Sequence, residues 1–246
     1  MNVRVLWTSA WTEAKLFVRE PMTVIFTLVL PLLFLLVLGG VFGNKPNPAW
    51  HGQGPVNYYV PAYLGLVWAS IGLLALPVHL VRYREDGVLR RLRASAAPKW
   101  AIFGSQAIVA SAIALAGGAL LIAVAAFTYH IRTPQSPAGV VGAWLLAGIV
   151  FASLGILLSC IPTSRGALGA GLGLFFVMMM LCGSGPPFKV MSAPLRDVSN
   201  ILPLTYVTRI LEAPWLGTAL AWSDIGVAAG IALLADLVAA VTFRWE

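Results

Sequence analysis
The chain alternates long charge-free apolar runs with short polar ones. Met22 to Phe42 carries no charged residue and matches the ~20 residues a helix needs to cross a bilayer. Equivalent runs follow at 58–81, 101–129, 140–161, 166–183 and 225–243, broken by a single carboxylate, Asp236. The pattern predicts an all-α integral membrane protein with six transmembrane helices over 22–243. Pro31 predicts a kink in the first span. The third run exceeds a bilayer's thickness, so it tilts or protrudes. In the fifth, the small residues Gly169, Gly171 and Gly173 allow close approach of another helix. Ahead of the spans, residues 1–21 place Val3, Leu6, Trp7, Ala10, Trp11, Ala14, Phe17 and Val18 at helical spacing among charges. This is the signature of an amphipathic helix at the cytoplasmic interface, with a charged part too long for a signal peptide.

The segments between spans fix the orientation. Arg82 to Trp100 holds Arg82, Arg84, Arg90, Arg91, Arg93 and Lys99, six of the sixteen basic residues, with Glu85 and Asp86 beside them. Such a loop belongs on the cytoplasmic face, because Lys and Arg near span ends resist translocation. With both termini inside, eleven basic residues lie on the cytoplasmic side against five outside. Residues 43–57 and 130–138 become external loops, and Pro162 to Arg165 a tight internal turn. Ser184 to Asp224 contains five prolines among large apolar side chains. It is too broken for a straight span and too apolar for a free loop, so it reads as a broken external hairpin, re-entrant from the outer leaflet, with Thr205 to Glu212 as its best helical piece.

Composition sharpens this. Of 246 residues, 59% are hydrophobic and 10% charged, where soluble domains average about 25% charged. The net charge of +7 is explained by topology and anionic lipid rather than by nucleic acid. Cys160 and Cys182 lack metal-ligand spacing. His51, His79 and His130 are scattered, and no phosphate-binding G-x-x-x-x-G-K-[ST] or H-E-x-x-H pattern occurs. Gly183-Ser184-Gly185 lacks the surroundings of a serine nucleophile. No catalytic residue and no bound cofactor or metal is expected, which leaves a conduit or a scaffold. Asp236 lies about eight residues, ~12 Å, from Arg244, at a depth where a carboxylate is costly. It snorkels to the inner interface, pairs with a neighbouring span, with His79 as a candidate, or contacts substrate; structural pairing is favoured over substrate contact. The basic loop has two readings as well, a lipid-headgroup clamp or a surface helix that docks into a soluble partner.

Two stretches carry a family resemblance. Arg84-Glu85-Asp86-Gly87-Val88-Leu89-Arg90-Arg91-Leu92-Arg93-Ala94-Ser95 is similar to R-E-x-G-x-L-x-x-L-x-x-[ST], and Asn200-Ile201-Leu202-Pro203-Leu204-Thr205-Tyr206 to N-x-x-P-x-[ST]-Y. In this order within a six-span frame, they resemble the permease subunit of a type-2 ABC exporter of the daunorubicin-resistance, multidrug-efflux kind. The resemblance implies that residues 82–100 form a coupling loop seated on a separate ATPase subunit. Arg84, Glu85, Gly87, Arg90, Arg91 and Leu92 would transmit its closure, and Leu202, Pro203, Leu204 and Tyr206 would gate the outer side. It implies two ATPase subunits carrying ATP and Mg, a second permease chain (identical or not), a bacterial cell-membrane location, and a hydrophobic drug, lipid or glycolipid-type substrate. The alternative is a six-span scaffold or membrane-embedded enzyme without an ATPase partner; co-purification with a nucleotide-binding subunit separates the two.

Overall fold
A helix that is apolar on every side must be covered on every side, and the run from Pro55 to Val81 is such a helix. In the computed structural model, which describes residues 24–46, 48–50, 52–88 and 99–242, each of its positions is buried. Six helices are long and apolar enough to cross a membrane, and every regular element among the described residues is helical. The expected helix over 1–21 lies outside the described residues, as do Arg90, Arg91 and Leu92 of the basic loop.

The first span is a π-helical turn, Ile25–Val29, running into α1 (Leu30–Phe42). The second combines α2 (Pro55–Ser70), a second π turn (Ile71–Ala75) and α3 (Leu76–Glu85). The third is α4 (Lys99–Tyr129), the fourth α5 (Pro137–Leu158) and the fifth α6 (Ser164–Leu181). A one-turn helix at Phe188–Val190 and two short helices follow, α7 (Ala193–Ser199) and α8 (Pro203–Leu216). The last span is α9 (Trp222–Thr242). The second helix thus continues through Arg82 and Glu85, so the basic stretch begins as its last turn rather than as loop.

Both π turns have the same cause. Pro31 and Pro77 stand second in the helices that follow them, and neither offers an N–H to the carbonyl four residues back, Thr27 or Leu73. The ladder slips by one residue to avoid the defect: Leu30 N–H bonds Ile25 O, and Leu76 N–H bonds Ile71 O. Within the first turn the fully buried Thr27 hydroxyl is hydrogen-bonded to that of Ser70 at 3.0 Å.

The second span is enclosed by the first, third, fourth and fifth spans and by α8. Lipid tails are as apolar as leucine, so close packing rather than a hydrophobic force holds helices together here. Glycines supply that closeness. A Cβ added to Gly72 would lie 2.2 Å from Phe151 O, one on Gly155 2.4 Å from Gly72 O, and one on Gly171 2.0 Å from Leu73 O. Gly171 therefore serves packing inside the chain, whereas Gly169 and Gly173 have nothing within 4 Å of the position a Cβ would take. The last span packs on α5 and α8 with Ala228, Ala232, Ala235 and Ala239 buried, and leaves Leu233, Leu234 and Leu237 exposed.

Candidate functional site
Polar chemistry collects at the two ends of the bundle. At the basic end, α3 carries Arg84 and Glu85 to the turn between α5 and α6. Arg84 donates through Nη1 to Ser159 O at 3.1 Å and through Nη2 to Ile161 O at 2.5 Å. Glu85 Oε1 accepts from the backbone N–H of Ser164 at 2.9 Å. Each charge meets the helix end it suits: the guanidinium sits on carbonyls where α5 ends, and the carboxylate on the amide that opens α6. Thr163 completes that opening by accepting from Gly166 N at 3.1 Å. Gly87, at φ +67°, takes the left-handed conformation that closes α3, and its N–H bonds Arg84 O at 3.0 Å. Of the residues expected to couple to an ATPase, Arg84, Glu85 and Gly87 are thus gathered at one corner, where the first two hold the α5–α6 turn.

At the proline-rich end, each residue of the Asn200–Tyr206 stretch has a local task. Leu202 is the residue before α8, and Pro203 occupies its first turn, where a missing N–H costs nothing. Leu204 is fully buried against Gly65 of α2, while Leu202 is half-buried. Thr205 Oγ1 bonds Ser199 O at 2.6 Å, and Tyr206 OH bonds Asn200 O at 2.5 Å. Two longer contacts tie this hairpin to the spans: Tyr63 OH to Ser184 O at 3.1 Å and Thr208 Oγ1 to Cys182 O at 3.0 Å.

Arg209 is the centre of this end, and reading the motif alone misses it. Its guanidinium lies 5.2 Å from the Phe188 ring centre and 5.8 Å from that of Tyr206, within cation–π range. Nη2 donates to Asn200 Oδ1 at 2.7 Å, and Nη1 stands 3.9 Å from Asp224. One turn on, Glu212 approaches the buried Tyr58 phenol. The residue is half-buried, and its Oε1 is sealed from solvent without a hydrogen-bond partner. Burial pushes this carboxyl from 4.5 up to about 8, against the Tyr58 hydrogen bond and the Arg209 charge, which pull it down. The i, i+3, i+6 spacing of Tyr206, Arg209 and Glu212 is the sequence signal that groups them on one face of α8.

Asp236 takes a partner on α5 in place of the suggested His79: Ser153 Oγ donates to its Oδ2 at 3.0 Å. His79 lines a small cavity between the second and third spans together with Gln106.

Six spans, the second of them enclosed by its neighbours, with polar clusters at both ends, define a multi-pass membrane protein. The chain belongs to the ABC-2 type transporter family, whose model matches residues 4–214. It is 24% identical over 174 residues to YbhR of Escherichia coli (strain K12), which carries the name of a multidrug ABC transporter permease. That match covers 68% of this chain and 47% of the relative, so the chain spans about half the length of that protein. It is 22% identical over 204 residues to YvfS of Bacillus subtilis (strain 168), named as a transport permease, covering 82% and 81% of the two chains.

The Glu212 environment generates a pH test. A carboxyl raised to about 8 in the folded chain stabilises it fully below the unfolded value near 4.5. That contribution is lost as pH rises towards about 8, by up to about 1.4 kcal/mol per pH unit. Thermal unfolding of the purified chain should show an apparent Tm that falls between pH 5 and 8 more steeply than that of E212Q. Parallel profiles for the two proteins would remove Glu212 as the cause.

Proposed function
We propose that this chain is the membrane-spanning permease subunit of an ATP-driven exporter, pairing with a second permease chain and powered by two separate ATPase subunits. Its substrate is a hydrophobic drug, lipid or glycolipid-type molecule taken from the cytoplasm or the inner leaflet. The basic end faces the cytoplasm in this reading, and the membrane is the bacterial cell membrane. One observation carries the proposal beyond family membership: the base of the basic loop grips the turn between the fourth and fifth spans through Arg84 and Glu85. A push on the loop therefore reaches three spans at once, the second directly and the fourth and fifth through their shared turn. A scaffold that used the loop only to hold lipid headgroups would have no need of such a linkage. Arg90, Arg91 and Leu92 complete the ATPase contact in this reading, with Gly87 setting the angle at which the loop leaves α3.

The seam between permease chains is assigned to the first and fifth spans. Val29, Leu33, Val37 and Val41 of the first and Phe176, Val177 and Met180 of the fifth are exposed, and Gly169 and Gly173 leave open space beside the fifth. Leu202, Pro203, Leu204 and Tyr206 close the pathway on the outer side as a dry plug, which seals by excluding water.

Four experiments test this reading. The chain should co-purify with a nucleotide-binding subunit encoded in the same cell, and E85A/R91A should abolish export and substrate-stimulated ATP hydrolysis while still inserting into the membrane. Normal export by the double variant sinks the coupling role. Cysteines placed at Leu33 and Gly173 should crosslink between subunits; crosslinks confined to the third and fourth spans move the seam elsewhere. L202A/L204A/Y206A should raise dye leak severalfold from vesicles without nucleotide, and unchanged leak with unchanged export reduces the plug to a passive cap.

A further inference from the structure
A carboxylate within a membrane span is costly unless something offsets its charge, and among the described residues the partner of Asp236 is a hydroxyl. It stands six residues inside the end of α9 at Thr242, ~9 Å at 1.5 Å per residue. Ser153 is its recorded partner, with no ion pair to any described residue. Asp236 is exposed on the side of α9 that also exposes Leu233 and Leu237, each at 64%. The alanine stripe on the other side is what packs. The Ser153 bond holds Oδ2 against α5 and leaves Oδ1 for something arriving from outside the chain.

Each candidate occupant can be weighed by its charge. An acyl chain would cover the leucines and leave the carboxylate unpaired. A second copy related by a two-fold axis would bring the same leucines and the same carboxylate to the contact, which adds repulsion. No Lys or Arg lies within α9 itself. A molecule with one positive charge and an apolar body meets both halves of the surface. It would arrive laterally, from the leaflet at the basic end, since α9 packs on α5 and α8, away from the first and fifth spans. We propose that Asp236, oriented by Ser153 and flanked by Leu233 and Leu237, is a binding site for lipophilic cations entering from that leaflet. This deepens the transport reading, on which it rests, by naming a substrate class and an entry point. Asp236 pairs with the cationic centre, the leucines cover the apolar body, and Ser153 is a positioning residue.

The test uses the full chain in phosphatidylcholine nanodiscs without any ATPase, with tetraphenylphosphonium as the probe and triphenylphosphine oxide as its uncharged counterpart. D236N should weaken tetraphenylphosphonium binding about tenfold or more, the scale of one lost ion pair, and leave the uncharged compound unaffected. D236E should retain most of the affinity, and S153A should weaken it less than D236N does. Equal affinity in D236N and the parent chain overturns the proposal, as does an equal loss in D236N and D236E. Should D236N fail to fold, protection replaces it. In a chain with Cys160 and Cys182 changed to alanine and Asp236 intact, L233C should be shielded from maleimide labelling by saturating tetraphenylphosphonium, and unshielded labelling overturns the site. Because no ATP is involved, the two readings separate. Charge-dependent binding without ATP-driven export in the presence of the ATPase counts against the transporter assignment alone. Export with charge-independent binding counts against the site alone.

Discussion
The structure depends on backbone-to-backbone contact around the second span. That helix is enclosed from Pro55 to Val81, and enclosure at this density needs neighbours with no side chain at the point of contact. Gly72 of the second span and Gly155 of α5 meet at their contact, each too near the other helix for a methyl group, and Gly171 brings the fifth span onto Leu73 O. Pro77 gives the last contact its logic, since it withholds the donor that Leu73 O would have four residues on. A Cα–H from the fifth span then approaches the carbonyl, a weak bond that recurs at helix–helix contacts.

The two ends of this core are built on opposite electrostatic plans. At the basic end Arg84 and Glu85 lie near the surface and are matched to helix termini, an arrangement that can tighten or release without stranding a charge in lipid. At the proline-rich end a guanidinium is held between two aromatic rings and two polar partners, one turn from a carboxyl that burial keeps protonated at neutral pH.

How much of this was legible in the sequence follows from what each signal depends on. Spans follow from run length and the absence of charge, and the six runs correspond to six long helices because few other structures satisfy the backbone in lipid. The family followed from two short stretches. Contacts between spans were less visible. The glycine run from 169 to 173 announced close approach, but nothing in one dimension says that Gly171 faces the second span while its neighbours two residues away face outward. Asp236 was conspicuous as a lone charge, yet its pairing with Ser153 rather than His79 is a matter of which helix lies beside α9. Arg84 and Glu85 stood out by charge, whereas their acceptors and donor are backbone groups of the α5–α6 turn, which no residue type advertises. Glu212 looked like an ordinary surface residue of a broken segment until Tyr58 came to rest beside it.

The π turn at Ile71–Ala75 has a consequence for how the two ends are registered. It holds one more residue than an α-helical path of the same rise, and one residue is about 100° of rotation. The bearing of Tyr58 and Tyr63 relative to Arg84 and Glu85 is therefore set midway along the span, by a proline and a slipped carbonyl. A chain one residue shorter at this turn would keep its hydropathy, its length class and every motif. It would nonetheless point one end of the central helix a quarter-turn or more away from its partners. Hydropathy measures only how far a span reaches; in this family member, the part that joins the two ends is a compass heading.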